Sequence, residues 1–219
     1  NLPAIRRALF EGRYAEASVL AERHLLGTPP RIRSYQPLGD LFLDLEDARP
    51  GDGYERGLDI RDGVAAVVCA TAAGARIERQ VFASAADDCL VVRVAAGRGA
   101  SLAGTVRLTR ARDAVTKTVG ADGLLLAGRI VDAPDPLTGP GGAHMRFAAR
   151  LLAINEGGRL SAEGDALRFE GARGVTLLLT AATDYDPARL DIDPTVDPAD
   201  RASRALARSR RRSYLPLLP

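Results

Sequence analysis

The chain has 219 residues, of which 46% are hydrophobic and 26% are charged, and its formal net charge is +2. This composition excludes a disordered or collagen-like chain, and the length allows one large domain or two small ones. The near balance of 30 basic and 28 acidic residues argues against a nucleic-acid partner. No apolar run approaches the roughly 18 residues of a membrane-spanning helix, which argues against a membrane partner.

Residues 1–30 predict two short helices. Ile5 and Leu9 share one helical face, and Gly12 is a natural stop after them. Apolar positions then keep a helical period over residues 13–26, and a Gly-Thr-Pro-Pro sequence ends the pattern. We therefore expect a helical pair at the start of the chain.

After residue 31 the hydrophobic period changes to two, which is the spacing of half-buried strands. Gly, Asp and Pro interrupt this pattern about every ten residues, which is typical of an antiparallel sandwich. One long loop is expected at 132–142. The predicted strands cover residues 38–45, 64–72, 75–84, 90–96, 101–109, 124–131, 145–155, 159–163, 166–170 and 175–181. The sequence thus predicts a mainly β fold.

The last part of the chain predicts a linker and a helix. Residues 184–194 are acidic and interrupted by proline, whereas Asp197 is a good N-cap and Pro198 a good first helical residue. We divide the chain into a β-sandwich domain, residues 1–196, and a linker helix, residues 197–219. The apolar surface of Leu206 and of the tail 214–218 is expected to lie against a further domain or against the flank of the sandwich.

Both ends suggest a piece of a longer polypeptide. Residue 1 is Asn, no signal-peptide pattern precedes the first helix, and the last six residues are mostly apolar. Nothing here predicts the cellular compartment.

The two cysteines, Cys69 and Cys89, are expected to be free thiols. A turn at residues 73–74 would place Cys69 opposite Glu78, and a turn at 85–86 would place Cys89 opposite Phe82. The two thiols would then lie on the order of 15 Å apart, beyond the reach of a disulfide. Their spacing also fails to match a zinc site.

The two histidines have no neighbouring Ser, Cys or second His at a catalytic spacing. His24 lies near the end of the second predicted helix, where a structural role is expected. His144 follows a glycine-rich stretch, and a loop histidine can reach a ligand or another domain. His144 is therefore the better candidate for a functional role.

The remaining polar motifs favour structural readings. The acidic pairs Asp184/Asp186 and Asp191/Asp193 lack the Gly and Glu of a calcium loop and are expected to be solvated. Lys117 has no glycine-rich phosphate loop before it, and Gly97-Arg98-Gly99 reads as a turn between strands. The arginines of 208–212 are expected to form a solvated or domain-facing helix surface.

Carbohydrate recognition by an independent module usually relies on exposed aromatic platforms. This chain has no Trp, and its ten Phe and Tyr residues mostly fall in core-like patterns. A stand-alone sugar-binding or interaction module therefore remains the second possibility rather than the first.

Several segments resemble a known family. These are the run from Leu2 to Ala17, the His-Leu-Leu-Gly-Thr-Pro-Pro sequence at 24–30 and the Ser-Tyr-Gln-Pro-Leu-Gly-Asp-Leu block at 34–41. Together they resemble the N-terminal domain of glycoside hydrolase family 95, best known for α-L-fucosidase activity. Further similar segments lie at 54–60, 81–84, 91–93, 156–158 and 177–183.

The resemblance implies an antiparallel β-supersandwich related to the sugar-mutarotase fold, followed by a linker and an (α/α)6 barrel. In that family the barrel carries an inverting hydrolysis, with a Glu as general acid and a water activated by an Asn that an Asp supports. None of those positions lies in these 219 residues, so we assign no catalytic, cofactor-binding or metal-binding residue, and substrate contacts stay unknown. The implied partners are the barrel of the same polypeptide and fucosylated glycans, and the implied location is periplasmic or secreted.

Overall fold

The computed structural model describes residues 1–46, 48–49, 53–71 and 73–210. The chain forms two compact units. One consists of residues 1–37 and 131–144, and the other of residues 38–130 together with the chain from residue 145 onward.

The first unit begins with the predicted helical pair, α1 (Leu2–Phe10) and α2 (Tyr14–His24). Both helices turn a small apolar face inward, where Ile5 and Ala8 pack with Ala17. The amide of Arg13 donates to the carbonyl of Ala8 (2.8 Å), so α2 starts directly beside the last turn of α1. The prediction of two short helices is confirmed.

The strands run antiparallel and are mostly connected by short turns. In chain order they are β1 (Asp40–Leu45), β2 (Ala48–Arg49), β3 (Glu55–Asp59), β4 (Val64–Thr71), β5 (Arg76–Ser84), β6 (Cys89–Ala96), β7 (Leu102–Thr109), β8 (Ala114–Val119), β9 (Gly123–Asp132), β10 (Gly142–Glu156), β11 (Arg159–Glu163), β12 (Ala166–Ala172), β13 (Gly174–Thr183), β14 (Tyr185–Asp186) and β15 (Asp191–Ile192). A third helix, α3 (Pro198–Ser209), follows them.

Two sheets make the sandwich. The smaller has the order β1-β7-β12-β11, and the larger has the order β2-β4-β5-β6-β13-β10-β9-β8, with β3 also paired to β4. Alternate residues of the central strands point between the sheets, as the period-two pattern predicts. The core joins Val106 and Phe169 of the small sheet to Ile77, Leu151 and their neighbours in the large one. The predicted mainly β, antiparallel sandwich is confirmed.

Helix α3 packs on the outer face of the large sheet. Asp197 caps it as predicted, since its carboxylate accepts a hydrogen bond from the amide of Ala199 (2.9 Å). Leu206 joins a second apolar cluster with Phe82 and Leu178, and Thr180 of β13 donates to the carbonyl of Ala202 (2.8 Å). Leu206 thus lies on the sandwich flank, one of the two expected places. The tail 214–218 lies outside the described residues.

Residues 184–194, expected to be a linker, are folded instead. Strands β14 and β15 pair there as a small hairpin, with Tyr185 opposite Ile192. The amide of Asp193 also donates to the carbonyl of Asp184 (2.7 Å). Pro and Asp residues gave the segment the composition of a linker, whereas these contacts between its two ends make it a turn.

Three strands of the large sheet, β2, β3 and β8, were absent from the predicted set. Strand β3 has charged residues and a glycine and is exposed at every position, so it shows no apolar alternation. Strand β8 lies at the edge of the sheet, and the burial of its successive residues alternates only weakly. Among the described helices, none has the length and apolar character needed to cross a bilayer.

Candidate functional site

The two cysteines are free, as predicted, but the strand register differs from the expected one. Cys69 lies opposite Ile77 rather than Glu78, and Cys89 lies opposite Ser84 rather than Phe82. Both differences come from turns that are longer than assumed, with Gly74 (φ +80°) and Asp88 (φ +52°) in the left-handed region. The thiols are therefore seven residue pairs apart along the strands, farther than expected.

Burial distinguishes the two thiols. Cys89 is buried in the cluster beneath α3, and this burial raises the pKa of its thiol. Cys69 is half-buried. A raised pKa keeps Cys89 protonated and unreactive, which fits a structural rather than a nucleophilic role.

The acidic residues of 184–194 were expected to be solvated, and for Asp184 this is wrong. Asp184 is only 2% exposed, and its carboxylate accepts hydrogen bonds from the amide (2.9 Å) and the Nε (2.8 Å) of Arg146. Asp186 pairs with Arg189, while Asp193 accepts from the amide of Thr195. These carboxylates stabilise the hairpin formed by β14 and β15. Within the described ranges, no group of three or more His, Cys, Asp or Glu residues could hold a metal ion.

The other candidate motifs lie where local structure explains them. Gly97 begins the turn between β6 and β7, with its amide donating to the carbonyl of Arg76 (2.7 Å), as predicted. Lys117 lies on the edge strand β8. Of the predicted arginine run, Arg208 lies in the last turn of α3 and the guanidinium of Arg210 lies 3.6 Å from the carboxylate of Asp122, while residues 211 and 212 lie outside the described part.

His144 lies at the start of β10, whereas His24 is the last residue of α2. The Nε2 atom of His144 lies 3.8 Å from Oδ2 of Asp132. The same carboxylate accepts a hydrogen bond from Gln36 (3.1 Å) and lies 3.5 Å from the guanidinium of Arg33. We call Arg33, Gln36, Asp132 and His144 the Asp132 cluster. It lies in the first unit and includes the histidine that the sequence favoured.

Arg33 also binds the loop 133–141. Its guanidinium donates to the carbonyls of Gly139 (3.1 Å) and Pro140 (2.7 Å), and the amide of Arg31 donates to the carbonyl of Leu137 (2.9 Å). The five donors of an arginine suit this bridging of several carbonyl groups. The segment 31–37 therefore holds the loop 133–141 in one conformation.

The loop also has order of its own. Asp135 and Gly139 exchange backbone hydrogen bonds, and the Asp135 carboxylate accepts from the amides of Leu137 and Thr138. These two donors hold the pKa of Asp135 below its ordinary value, so it stays ionised. The loop borders a shallow, open depression of about 490 Å³, lined by Pro134, Asp135, Pro136, Gly139 and Pro140.

Tyr35 stands between the two cluster residues Arg33 and Gln36 and is fully exposed. An exposed ring can stack on the apolar face of a sugar, while fixed carboxylate and amide groups can bind its hydroxyls. The Tyr-Gln-Pro block was singled out in the sequence only by family resemblance, and Arg33 and Asp132 were not singled out at all. They lie about a hundred residues apart, so local periodicity carries no signal for their contact.

Comparison with known proteins identifies the family. The model described as "Glycosyl hydrolase family 65, N-terminal domain" matches residues 1–188, which is most of the chain. The chain belongs to this family. This family 65 N-terminal domain has no significant match among curated proteins.

A solved structure supports the fold of this family 65 domain. It is a protein described provisionally as a kojibiose phosphorylase from the human microbiome, with a TM-score of 0.52 and 9% sequence identity. The match covers 80% of this chain but 26% of that one. The chain thus spans about a quarter of the length of that protein, and at this identity the likeness shows the fold alone.

These findings confirm the predicted N-terminal domain of a glycoside hydrolase and correct its family. The sequence blocks resembled family 95, whereas the matching family model is that of family 65. Because the predicted family and the matching family both assign the chain to the N-terminal domain of a glycoside hydrolase, the fold expected from the resemblance still holds.

Proposed function

We propose that this chain is the non-catalytic N-terminal domain of a carbohydrate-active enzyme and supports a catalytic (α/α)6 barrel in the same polypeptide. The observation that carries the proposal is the match of residues 1–188 to a glycosyl hydrolase N-terminal domain. The similar structure, of which this chain spans about a quarter, supports it.

We further propose that the loop 133–141 and Tyr35 form one rim of the sugar pocket. The Asp132 cluster supports this, because Arg33 and Gln36, on either side of Tyr35, bind the loop and Asp132 before any ligand is present. Such preorganisation lowers the ordering cost of binding. Fixed polar groups beside an exposed ring suit a carbohydrate.

A substitution in the whole protein tests the rim. Tyr35→Ala should raise KM for the sugar substrate about three- to tenfold, the loss expected for one aromatic contact. It should leave thermal stability unchanged, since the ring is fully exposed. Tyr54→Ala, at a partly exposed tyrosine of the second unit, is the matched control. Unchanged kinetics for Tyr35→Ala would remove Tyr35 from the rim.

For the whole protein we propose an inverting exo-hydrolysis of α-L-fucosides, supported by the resemblance of the blocks at 2–17, 24–30 and 34–41 to the fucosidase family. The structural likeness to a protein described as a kojibiose phosphorylase favours a second candidate, phosphorolysis of a glucoside. The two reactions differ in their second substrate. Fucose release that needs no phosphate supports the first, whereas phosphate-dependent formation of a sugar 1-phosphate from kojibiose supports the second.

A further inference from the structure

Exposed apolar side chains are unevenly distributed between the two units. The unit formed by residues 1–37 and 131–144 holds eleven of the twenty exposed large apolar side chains found among the described residues. It contains 51 of the 205 described residues, so such side chains are more than three times as frequent there as among the other described residues. Scattered apolar residues are normal on a surface, whereas a concentration of them marks an interaction site.

Three of these residues lie at the turn where α1 meets α2. The turn is closed by hydrogen bonds from the amide of Gly12 to the carbonyl of Leu9 (3.1 Å) and from Arg13 to Ala8 (2.8 Å). Leu9 and Phe10 end one helix, and Tyr14 begins the next. We call Leu9, Phe10 and Tyr14 the apex patch.

The apex patch is strongly exposed for its residue types. Phe10 is 91% exposed, Tyr14 is 68% exposed, and Leu9 is 46% exposed. Together they present roughly 400 Å² of mostly apolar surface, comparable with the largest patch of an ordinary monomer. Water contact with that much aromatic surface is unfavourable, so a partner that covers it gains free energy.

The helical pair does not need these residues for its own packing. Its apolar contacts are made by Ile5, Ala8 and Ala17, which are buried, and by Leu20 and Ala21, which pack beside them. Helices of 9 and 11 residues are marginal by themselves and depend on tertiary contacts. The exposed apolar side chains at the turn between the two helices therefore indicate a contact with another surface.

A charged rim adjoins the apex patch. The guanidinium of Arg13 forms ion pairs with the carboxylates of Glu11 and Glu16, so this cation is already neutralised. An apolar centre beside compensated charges is the usual composition of a protein interface.

We propose that the apex patch docks against the catalytic domain of the same polypeptide. This inference rests on the proposed function. The occupant follows from the family, because the matching model is that of an N-terminal domain and the similar protein is about four times as long as the stretch that matches. A covalently linked domain is present at high effective concentration, so a patch of modest area suffices to hold it.

The test uses the whole polypeptide and a matched pair of substitutions. Phe10→Asp places a charge in the apex patch, and Ile60→Asp places the same charge at an equally exposed position, 89%, in the other unit. Limited proteolysis measures domain contact through the cleavage rate between the N-terminal and catalytic domains. Phe10→Asp should raise that rate at least tenfold, and Ile60→Asp should leave it within twofold. Tyr14→Ser should act in the same direction as Phe10→Asp.

Two further measurements keep the outcomes distinct. In the 219-residue chain alone, Phe10→Asp should not change the melting temperature, because the side chain is already exposed. Equal cleavage rates for Phe10→Asp and Ile60→Asp would overturn the proposal. So would sedimentation showing that the unmodified chain self-associates through the patch and that Phe10→Asp abolishes this. Absence of turnover by the whole protein would instead count against the proposed function.

Discussion

The Nε of Arg146 donates to the carboxylate of Asp184 across 2.8 Å, and the amide of Arg146 donates to the same carboxylate across 2.9 Å. The guanidinium also donates to the carbonyls of Pro194 (2.9 Å) and Val196 (2.6 Å). One arginine on β10 therefore fixes the chain from the end of β13 to the start of α3.

Asp184→Asn should lower the free energy of unfolding by about 2–3 kcal/mol. Removing one partner of a fully buried ion pair costs roughly 3–5 kcal/mol, and the partial exposure of Arg146 reduces that value. The matched control is Asp44→Asn, which breaks an exposed ion pair with Arg107 and should cost less than about 1 kcal/mol. Urea unfolding of the three proteins gives both differences. Equal effects would show that burial of Asp184 contributes nothing.

Leu206→Ala should lower the free energy of unfolding by about 2–4 kcal/mol, because it opens a cavity between α3 and the large sheet. Leu206 packs there with Phe82, Val91 and Leu178. Arg204→Ala, at an exposed position two residues earlier on α3, should cost less than about 1 kcal/mol. A negligible effect of Leu206→Ala would mean that α3 leaves the sheet in solution.

Deleting residues 197–219 tests the domain division at residue 196, which stays a prediction. A sandwich that keeps its cooperative unfolding without α3 would support the division. Loss of that transition would place α3 within the domain.

Cys69 should react with iodoacetamide faster than Cys89 in the folded protein at pH 8. The burial of Cys89 raises the pKa of its thiol, so less of the reactive thiolate forms, and access is restricted as well. Peptide mapping after timed alkylation without reductant measures the two rates. Under denaturing conditions both thiols should be labelled. A mass deficit of two hydrogens would instead reveal a disulfide and contradict the strand register.

Glu156 should stabilise the protein at neutral pH but not in acid. Its hydrogen bond with Arg93 holds the pKa of the Glu156 carboxyl below its ordinary value. A folded-state pKa below the unfolded one contributes stability above the unfolded pKa, and this is lost as the pH falls through the folded pKa. The carboxylate is nearly half exposed, so the contribution is below about 1 kcal/mol.

Glu156→Gln therefore should cost stability at pH 7 and cost progressively less below about pH 4.5. Glu163→Gln, at an exposed glutamate, is the control for the loss of one carboxylate. Denaturation curves between pH 3 and pH 7 measure the difference. A cost for Glu156→Gln that stays constant down to pH 3 would contradict the role of its charge.

Local patterns predicted most of the fold because burial on one face of a strand leaves a period of two in the sequence. The paired strands β1 and β7 follow this pattern closely. Strand β3 was not predicted because it is exposed throughout. The expected register of β4, β5 and β6 was wrong because turn length depends on single residues such as Gly74 and Asp88. An error of one turn residue changes which residues face each other along the whole strand.

The candidate site was less predictable than the sandwich. His144 was singled out by its place after a flexible stretch, but its neighbour Asp132 was read only as the start of a loop. The partners of Asp132 come from both ends of the first unit, with Gln36 about a hundred residues away. Asp184 shows the same limit, since its acidic neighbours suggested solvent while Arg146 lies 38 residues earlier in the chain.

Turnover by the 219-residue chain alone tests the central claim, a non-catalytic domain, most directly. The chain would be incubated with an aryl α-L-fucoside, and separately with kojibiose and inorganic phosphate, beside the whole protein under the same conditions. We predict no product above the buffer blank from the chain and turnover of one substrate by the whole protein. Product formation by the chain that survives repurification and saturates as a single site would contradict the claim.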